Sequence, residues 1–413
     1  MKKRKARMIL IAVLAVVVIA EALLVYGFRH TRIPKLYFQG NISGMEDKSD
    51  VRDISVRYVS GGQTVDAFAE IKIQGTSSLS YEKKNYTINF FSDANHSEKL
   101  KLDVGLGGEQ SKYCLKANWI DRTHSRNVVT ARLATQVQQK YQVLTQAPRN
   151  GTIDGFPVEI YSNGKFLGLY TFNIPKDPWL FNMDEENPNH IVVCGERWED
   201  TNLFRGEPDF DNWELEVGEN SEETLDKLKK LFDFVMNSDD ETFCAQFEEH
   251  IDLDAALNYY ILADFAYMAD NLGKNMLLAT YDGQKWYPVL YDLDTTWGTS
   301  YSGRGLMDYE NNTLNLSSNL LFERLEKSFG KELSARYFEL RQEILTKEHI
   351  LGEFEAFHAQ IPGAVFLKEG FRWGCGVLRQ YKDLPGFDYD QIEDYLDTIP
   401  GKLDEKYAAL AGR

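Results

Sequence analysis

The stretch MADNLGKNMLLATYDGQKWYPVLYDLDTTWG, residues Met268 to Gly298, decides how the rest of the chain is read. Two apolar runs flank Asp282-Gly283, a dipeptide favoured in tight hairpin turns, so NMLLATY and KWYPVLY are expected as paired strands with Asp282 as a turn residue. Asp270 and Asn275 precede this hairpin, and Asp292 and Asp294 follow it. Four acid or amide side chains so close to buried strands either grip a metal ion and its phosphates or are turn residues that happen to be acidic.

In protein kinases an Asp that orients the acceptor hydroxyl stands five residues before a metal-binding Asn. A second Asp, at a strand end one hairpin later, holds the metal that bridges the phosphates. Asp270, Asn275 and the YDLD segment follow that order. Hard Mg²⁺ takes oxygen ligands and leaves part of its shell to phosphate, which is what amide and carboxylate side chains can supply. Asp292-Leu293-Asp294 has rival readings. A calcium loop would need Gly at its sixth position and Glu at its twelfth, and counting from Asp292 these are Trp297 and Gly303. The D-x-D of a metal-dependent glycosyltransferase, which also follows an apolar strand, stays open, as does a plain strand-end turn.

The chain has 413 residues, enough for one large domain or two ordinary ones, and 43% hydrophobic residues to build a core. Lys and Arg number 46 against 63 Asp and Glu, for a net charge of −17. The charged residues among the first 35 are basic apart from Glu21, so the body is more acidic still and would repel nucleic-acid phosphates. No nucleic-acid partner is expected. MKKRKAR (residues 1–7) precedes MILIAVLAVVVIAEALLVYGF (8–28), an apolar run about long enough to span a bilayer, with its basic flank on the cytoplasmic side. This predicts a single-pass anchor in the cell membrane, a linker over 29–35 and an extracytoplasmic domain over 36–413. Ala20-Glu21-Ala22 also suits a signal peptidase, which would release a secreted protein. The apolar run continues past that site as LLVYGF, which favours the anchor. The four cysteines, Cys114, Cys194, Cys244 and Cys375, form no C-x-x-C pair and decide nothing.

Residues 54 to 160 read mostly as strands: ISVRYV, AFAEIKIQG, NYTINFF and SKYCLKAN alternate apolar and polar residues between turn signals. A helix is expected from near Arg122, and a hairpin around Asn163-Gly164. Beyond about residue 185 the pattern turns helical. Leu225, Leu228, Leu231, Phe232 and Val235 share one face of a helix begun at Ser221, and DLDAALNYYILADFAYMAD reads as a buried helix. The expected fold is α+β and two-lobed, a strand-rich N-terminal lobe over about 36–182 and a helix-rich C-terminal lobe over about 183–413.

Four ordered segments, IKIQGTSSLSYEKKNYTINF, KYCLKANWIDRTHSRNVVTARLA, VEIYSNGKFLGLYTF and VLYDLDTTWG, resemble the motifs of CotH-type kinases, atypical protein kinases first named for a bacterial spore-coat protein. The resemblance runs from roughly residue 36 to 400. It implies a divergent kinase-like fold that binds ATP with Mg²⁺ (or Mn²⁺) and transfers the γ-phosphoryl group to Ser or Thr of protein substrates. Carried over by position, Asp270 matches the catalytic acid, while Asn275 and Asp292 match metal ligands, with Asp294 sharing that signature. Gly75, Thr76, Ser77 and Ser78 would cover phosphates with backbone N–H groups, unless GTSS is an ordinary hairpin tip. Lys83 lies in the family's first basic motif. Lys116 would reach the α- and β-phosphates, its alternative being a surface lysine lying along apolar neighbours. Glu159 is the candidate ion-pair partner for one of these lysines. Arg126 and Asn127 match the family motif, or open a helix. The chain departs from the family pattern at Asn173, where an acid is usual, and at Gln74-Gly75, where Arg-Gly is common. No His-Arg pair precedes Asp270. The competing functions are a non-catalytic cell-surface module that binds glycans or proteins, and a glycosyltransferase using Asp292 and Asp294.

Overall fold

The structure is a computed structural model, and it describes residues 33–300, 312–377 and 389–412. The expected anchor, 8–28, lies outside these residues. Among the described residues no helix is long and apolar enough to cross a membrane.

The first half forms a closed barrel from β1 (Lys35–Gln39), β2 (Arg52–Ser60), β3 (Gln63–Gln74), β4 (Asn85–Phe91), β7 (Lys112–Lys116), β8 (Gly155–Ser162) and β9 (Lys165–Asn173). The strand order is β1-β2-β3-β4-β7-β9-β8, and β5 (Leu102–Asp103) pairs separately with β6 (Glu109–Gln110). Every barrel pair is antiparallel except β1 with β8, whose parallel pairing closes the sheet and leaves no open edge between them. The period-two pattern sets the inside and the outside. Ala67, Ala69, Ile71 and Ile73 of β3 are buried, while Glu70, Lys72 and Gln74 alternate with them. Inside, Phe172 packs its ring on Tyr113 and Phe156, with centroids 4.4 and 5.4 Å apart. Outside, Lys72 pairs with Thr87 and Thr87 with Cys114, so these three side chains share one face and form a wall of the cleft described below.

The second half carries a four-stranded sheet of order β11-β10-β12-β13, from β10 (Ile191–Gly195), β11 (Trp213–Val217), β12 (Met276–Thr280) and β13 (Trp286–Leu290). The helices are α1 (Arg126–Lys140), α2 (Pro178–Phe181), α3 (Glu222–Asn237), α4 (Asp240–His250), α5 (Leu253–Phe265), α6 (Leu320–Ser328), α7 (Gly330–Arg341), α8 (Lys347–His358), α9 (Gly363–Val377) and α10 (Tyr389–Ala411). Ser221 caps α3, its hydroxyl accepting from Thr224 N–H, as expected from the sequence. Of the apolar face anticipated for α3, Leu228, Leu231, Phe232 and Val235 are buried and Leu225 is half-buried. Every residue of α5 from Ala255 to Phe265 is buried, so α5 is the core element of this half. Helix α1 begins at Arg126 and not near Arg122. The Asp121 carboxylate accepts from the N–H groups of Ser125 and Arg126 at 2.8 Å, and His124 takes a left-handed φ of 56°, which ends the loop before the helix.

The two halves exchange helices across the boundary expected at residues 182 and 183. Helix α1, from the strand-rich half, packs on α5 and α8, and Gln138 Oε1 accepts from Asn258 Nδ2 at 2.9 Å. In return α9, from the helical half, packs on the barrel strand β9.

Candidate active site

A cleft of about 800 Å³ lies between the outer face of the barrel and the second half. Lys72, Thr87, Cys114 and Lys116 line its barrel side, and Asp270, Asn275, Asp292 and Asp294 line the opposite side. The four residues of the opening stretch therefore converge, while Asp282 is a turn residue whose carboxylate accepts from the N–H groups of Gln284 and Lys285, both at 2.8 Å.

Local sequence and long-range contacts both shape the Asp292 loop. After β13 ends at Leu290, Asp292 takes a φ of 53°, a left-handed conformation costly for a non-glycine residue. The turn is held from α1. Asn127 Oδ1 accepts from Leu293 N–H at 3.0 Å, Arg126 Nε donates to Thr296 O at 3.2 Å, and Trp297 Nε1 donates to Thr130 Oγ1 at 2.8 Å. Arg126 itself is buried in an ion pair with Asp121 at 2.8 Å. Asn275 also has a positive φ, 61°, and its N–H donates to Gly195 O at 2.7 Å. That approach needs glycine, since a Cβ on Gly195 would lie 1.9 Å from Gly273 O. Asn271 ties the Asp270 segment to the Asp292 segment, its Nδ2 donating to Tyr291 O at 2.7 Å.

Across the cleft Lys116 Nζ lies 3.2 Å from Asp292 Oδ1. Lys116 is 8% exposed, which rules out the surface-lysine alternative. Burial alone would lower its pKa, but Asp292, with Tyr291, Cys114 and Asp294 adding, outweighs that and holds the ammonium well above its ordinary value. Burial pushes Asp292 upward, and Lys116 reverses the shift, so this carboxylate sits below its ordinary range. Asp294 goes the other way: burial and then the neighbouring Asp292 raise it well above that range. Asp270 is raised by burial, with Lys274 opposing and Asp292 adding.

The Gly75–Ser78 segment borders the same cleft through Gly75, Thr76 and Ser78. It lies in the connection between the antiparallel strands β3 and β4, as a hairpin tip would, and contains a short 3₁₀ turn, Ser77–Ser80. Gly75 has a φ of 106°, and a Cβ there would fall 1.8 Å from Ser78 Oγ, so the turn requires glycine at this point.

Two residues expected at the nucleotide lie elsewhere. Lys83 does not border the cleft. It is 2% exposed and gives its donors to Ala117 O, Leu169 O and Glu369 on α9. Glu159 is fully buried on β8 and pairs with Lys368 at 2.7 Å and with the Tyr161 hydroxyl at 2.6 Å, so it partners neither Lys83 nor Lys116. One-dimensional motif position cannot separate Lys83 from Lys116, because Lys83 sits in the connection before β4 and Lys116 at the end of β7, and only the folded barrel decides which of them faces the cleft.

A group missed in the sequence lies by the interlobe linker. Lys176 Nζ meets Glu196 at 3.3 Å, Glu214 at 3.8 Å and Glu216. Burial pushes Glu216 up to about 7, opposed by Lys176. Glu214 and Glu216 alternate along β11, and that period of two was the available signal. Among the described residues, groups of three metal-ligating side chains within 4.8 Å are Cys194, Glu196 and Glu216 in this corner, where Lys176 already supplies the cation, and Asp53, Glu70 and His96 on the barrel exterior.

A mixed α/β chain with a strand-rich first half, a helix-rich second half and a carboxylate-lined cleft is the class that fold and site define. The family description "CotH kinase protein" matches residues 71–374, most of the chain, and the protein belongs to that family. A search of curated proteins gave no match.

Proposed function

We propose that the cleft binds ATP with Mg²⁺ and transfers the γ-phosphoryl group to a Ser or Thr hydroxyl of a protein substrate, on the outer side of a membrane to which residues 8–28 anchor the chain. The observation that carries this reading is the Lys116–Asp292 pair, 3.2 Å apart, in one cleft with Asp270 and Asn275.

The donor set fits a hard divalent cation: the Asn275 amide oxygen with the Asp292 and Asp294 carboxylates. Burial raises Asp294 and the neighbouring Asp292 carboxylate adds to the rise, a repulsion that a divalent cation would relieve. When bound, the cation neutralises charge on the donor phosphates. Lys116 gives the α- and β-phosphates an ammonium that stays protonated. The 75–78 turn covers the phosphates from the barrel side. Asp270 orients the acceptor hydroxyl and takes its proton, and burial, which raises its pKa, makes it a stronger base than an exposed carboxylate.

The test is label transfer from γ-labelled ATP to casein-type acceptors by the full chain with Mg²⁺, beside Asp292→Ala. Transfer that the substitution abolishes is expected. Equal signals from both proteins, or binding of a UDP-sugar in place of ATP, would sink the reading, and the second result would favour the glycosyltransferase.

A further inference from the structure

The amine of Lys83 anchors a second polar cluster, outside the lining of the cleft. It donates to Ala117 O at 2.8 Å, to Leu169 O, and to Glu369 Oε1 at 2.7 Å. Glu369 Oε2 accepts from Leu169 N–H at 2.6 Å, and Trp373 Nε1 donates to Leu167 O at 2.9 Å. Helix α9 thus closes on β9 through backbone groups on both sides of Gly168. A Cβ on Gly168 would lie 2.8 Å from Lys83 Cε and 3.1 Å from both Glu369 Oε2 and Trp373 Nε1, so the strand omits a side chain where the helix seats.

The cluster reaches the cleft through one residue. Ala117 directly follows Lys116. Its carbonyl accepts from Lys83, and its N–H donates to Asn85 Oδ1 at 2.7 Å. Asn85 Nδ2 in turn donates to Ser78 Oγ at 3.2 Å, and Lys84 Nζ donates to Leu79 O. Residues 83 to 85 therefore hold the end of the Lys116 strand and the 75–80 turn together. An apolar contact could fasten a helix to a barrel with less desolvation than a buried ion pair demands. A polar clamp with every donor used fixes geometry instead.

We infer that Lys83 and Glu369 are positioning residues for the phosphate end of the cleft: α9, seated on β9, fixes the Ala117 backbone and so sets where Lys116 and the 75–80 turn meet the donor. The inference rests on the ATP reading of the cleft. It assigns Lys83 a role through Lys116, at no contact with the nucleotide.

A double-mutant cycle on the full chain tests it, reading the dissociation constant of a fluorescent ATP analogue with Mg²⁺ for wild type, Glu369→Ala, Lys116→Ala and the pair. Glu369→Ala is expected to weaken binding about tenfold, and to cost markedly less once Lys116 is gone, the remainder being the share carried by the 75–80 turn. In transfer assays the same variant should raise KM for ATP more than it lowers kcat. Unchanged affinity in folded Glu369→Ala, or losses that multiply in the double variant, would overturn the inference. Should Glu369→Ala fail to fold, Glu369→Gln keeps an acceptor for Lys83 while losing the one for Leu169 N–H, and the same non-additivity is required of it. A wild-type protein that binds no ATP overturns the kinase reading and this inference with it. Binding without transfer overturns only the former, because the cycle is read on affinity.

Discussion

Lys116 Nζ lies 3.2 Å from Asp292 Oδ1, and the pair links the barrel to the loop that follows β13. Each partner holds the other in its charged form against burial. Replacing Lys116 by Met removes the charge and keeps most of the volume. Phosphoryl transfer should fall by about 10²–10³-fold, the usual loss for one preorganised electrostatic contact. Comparison of kcat/KM for the two proteins at fixed Mg²⁺ checks this, and circular dichroism should show Lys116→Met folded.

Asp270 must be deprotonated to take a proton, and burial raises its pKa. The acid limb of kcat against pH should therefore have its midpoint above the ordinary carboxylate range. Asp270→Asn should lose that limb and about 10²–10⁴-fold in kcat, with ATP affinity nearly unchanged. Calorimetry showing lost ATP binding would make Asp270 a ligand or a structural residue.

Asn127 supplies the acceptor for the Leu293 N–H, and Leu293 is fully buried. Asn127→Leu should leave that N–H unpaired at a cost of about 1–3 kcal/mol in urea unfolding. Because the same bond shapes the Asp292 turn, Mg²⁺-dependent protection against unfolding should weaken as well. A variant with wild-type stability would show that the turn finds another acceptor.

His124 has its pKa lowered from 6.5 to about 3 by burial, with Lys83 adding to the effect. Between those values the unfolded chain takes up a proton that the folded protein refuses, so stability falls as the pH drops below 6.5. The slope from this residue is about 1.4 kcal/mol per pH unit. His124→Asn, whose side chain tolerates the left-handed φ of 56° at this position, should flatten the fall in urea midpoint between pH 6.5 and 5.

The sequence was informative where one segment contains its own constraints. Asp282-Gly283 between two apolar runs specified the hairpin, and Ser221 marked the start of α3. Alternation along ISVRYV and AFAEIKIQG specified strands, though not that seven of them close into a barrel, since closure depends on the parallel pairing of β1 with β8, more than a hundred residues apart in sequence. In the site, Asp270, Asn275 and Asp292 were legible because a turn and a hairpin bring them together. Lys83 and Lys116 were not distinguishable, since both lie in basic motifs and only the folding of the connection before β4 and of the end of β7 sends one of them to the cleft. The placement of Glu159 was hidden for the same reason: its partner, Lys368, comes from α9. Lys176 escaped notice because nothing around Pro175-Lys176 announces three carboxylates contributed by a later part of the chain.

The exchange of helices between the two halves has a consequence for how the protein is made. Synthesis delivers β9 long before α9, so the barrel wall around Gly168 waits, without its cover, until residues 363–373 leave the ribosome. Helix α1 likewise must wait for α5 and α8 before its buried face has a partner. Neither half can reach its final packing in the order in which it emerges, and a chain cut short before α9 would carry a finished Asp270–Asp294 segment beside a barrel still missing the helix that seats on it.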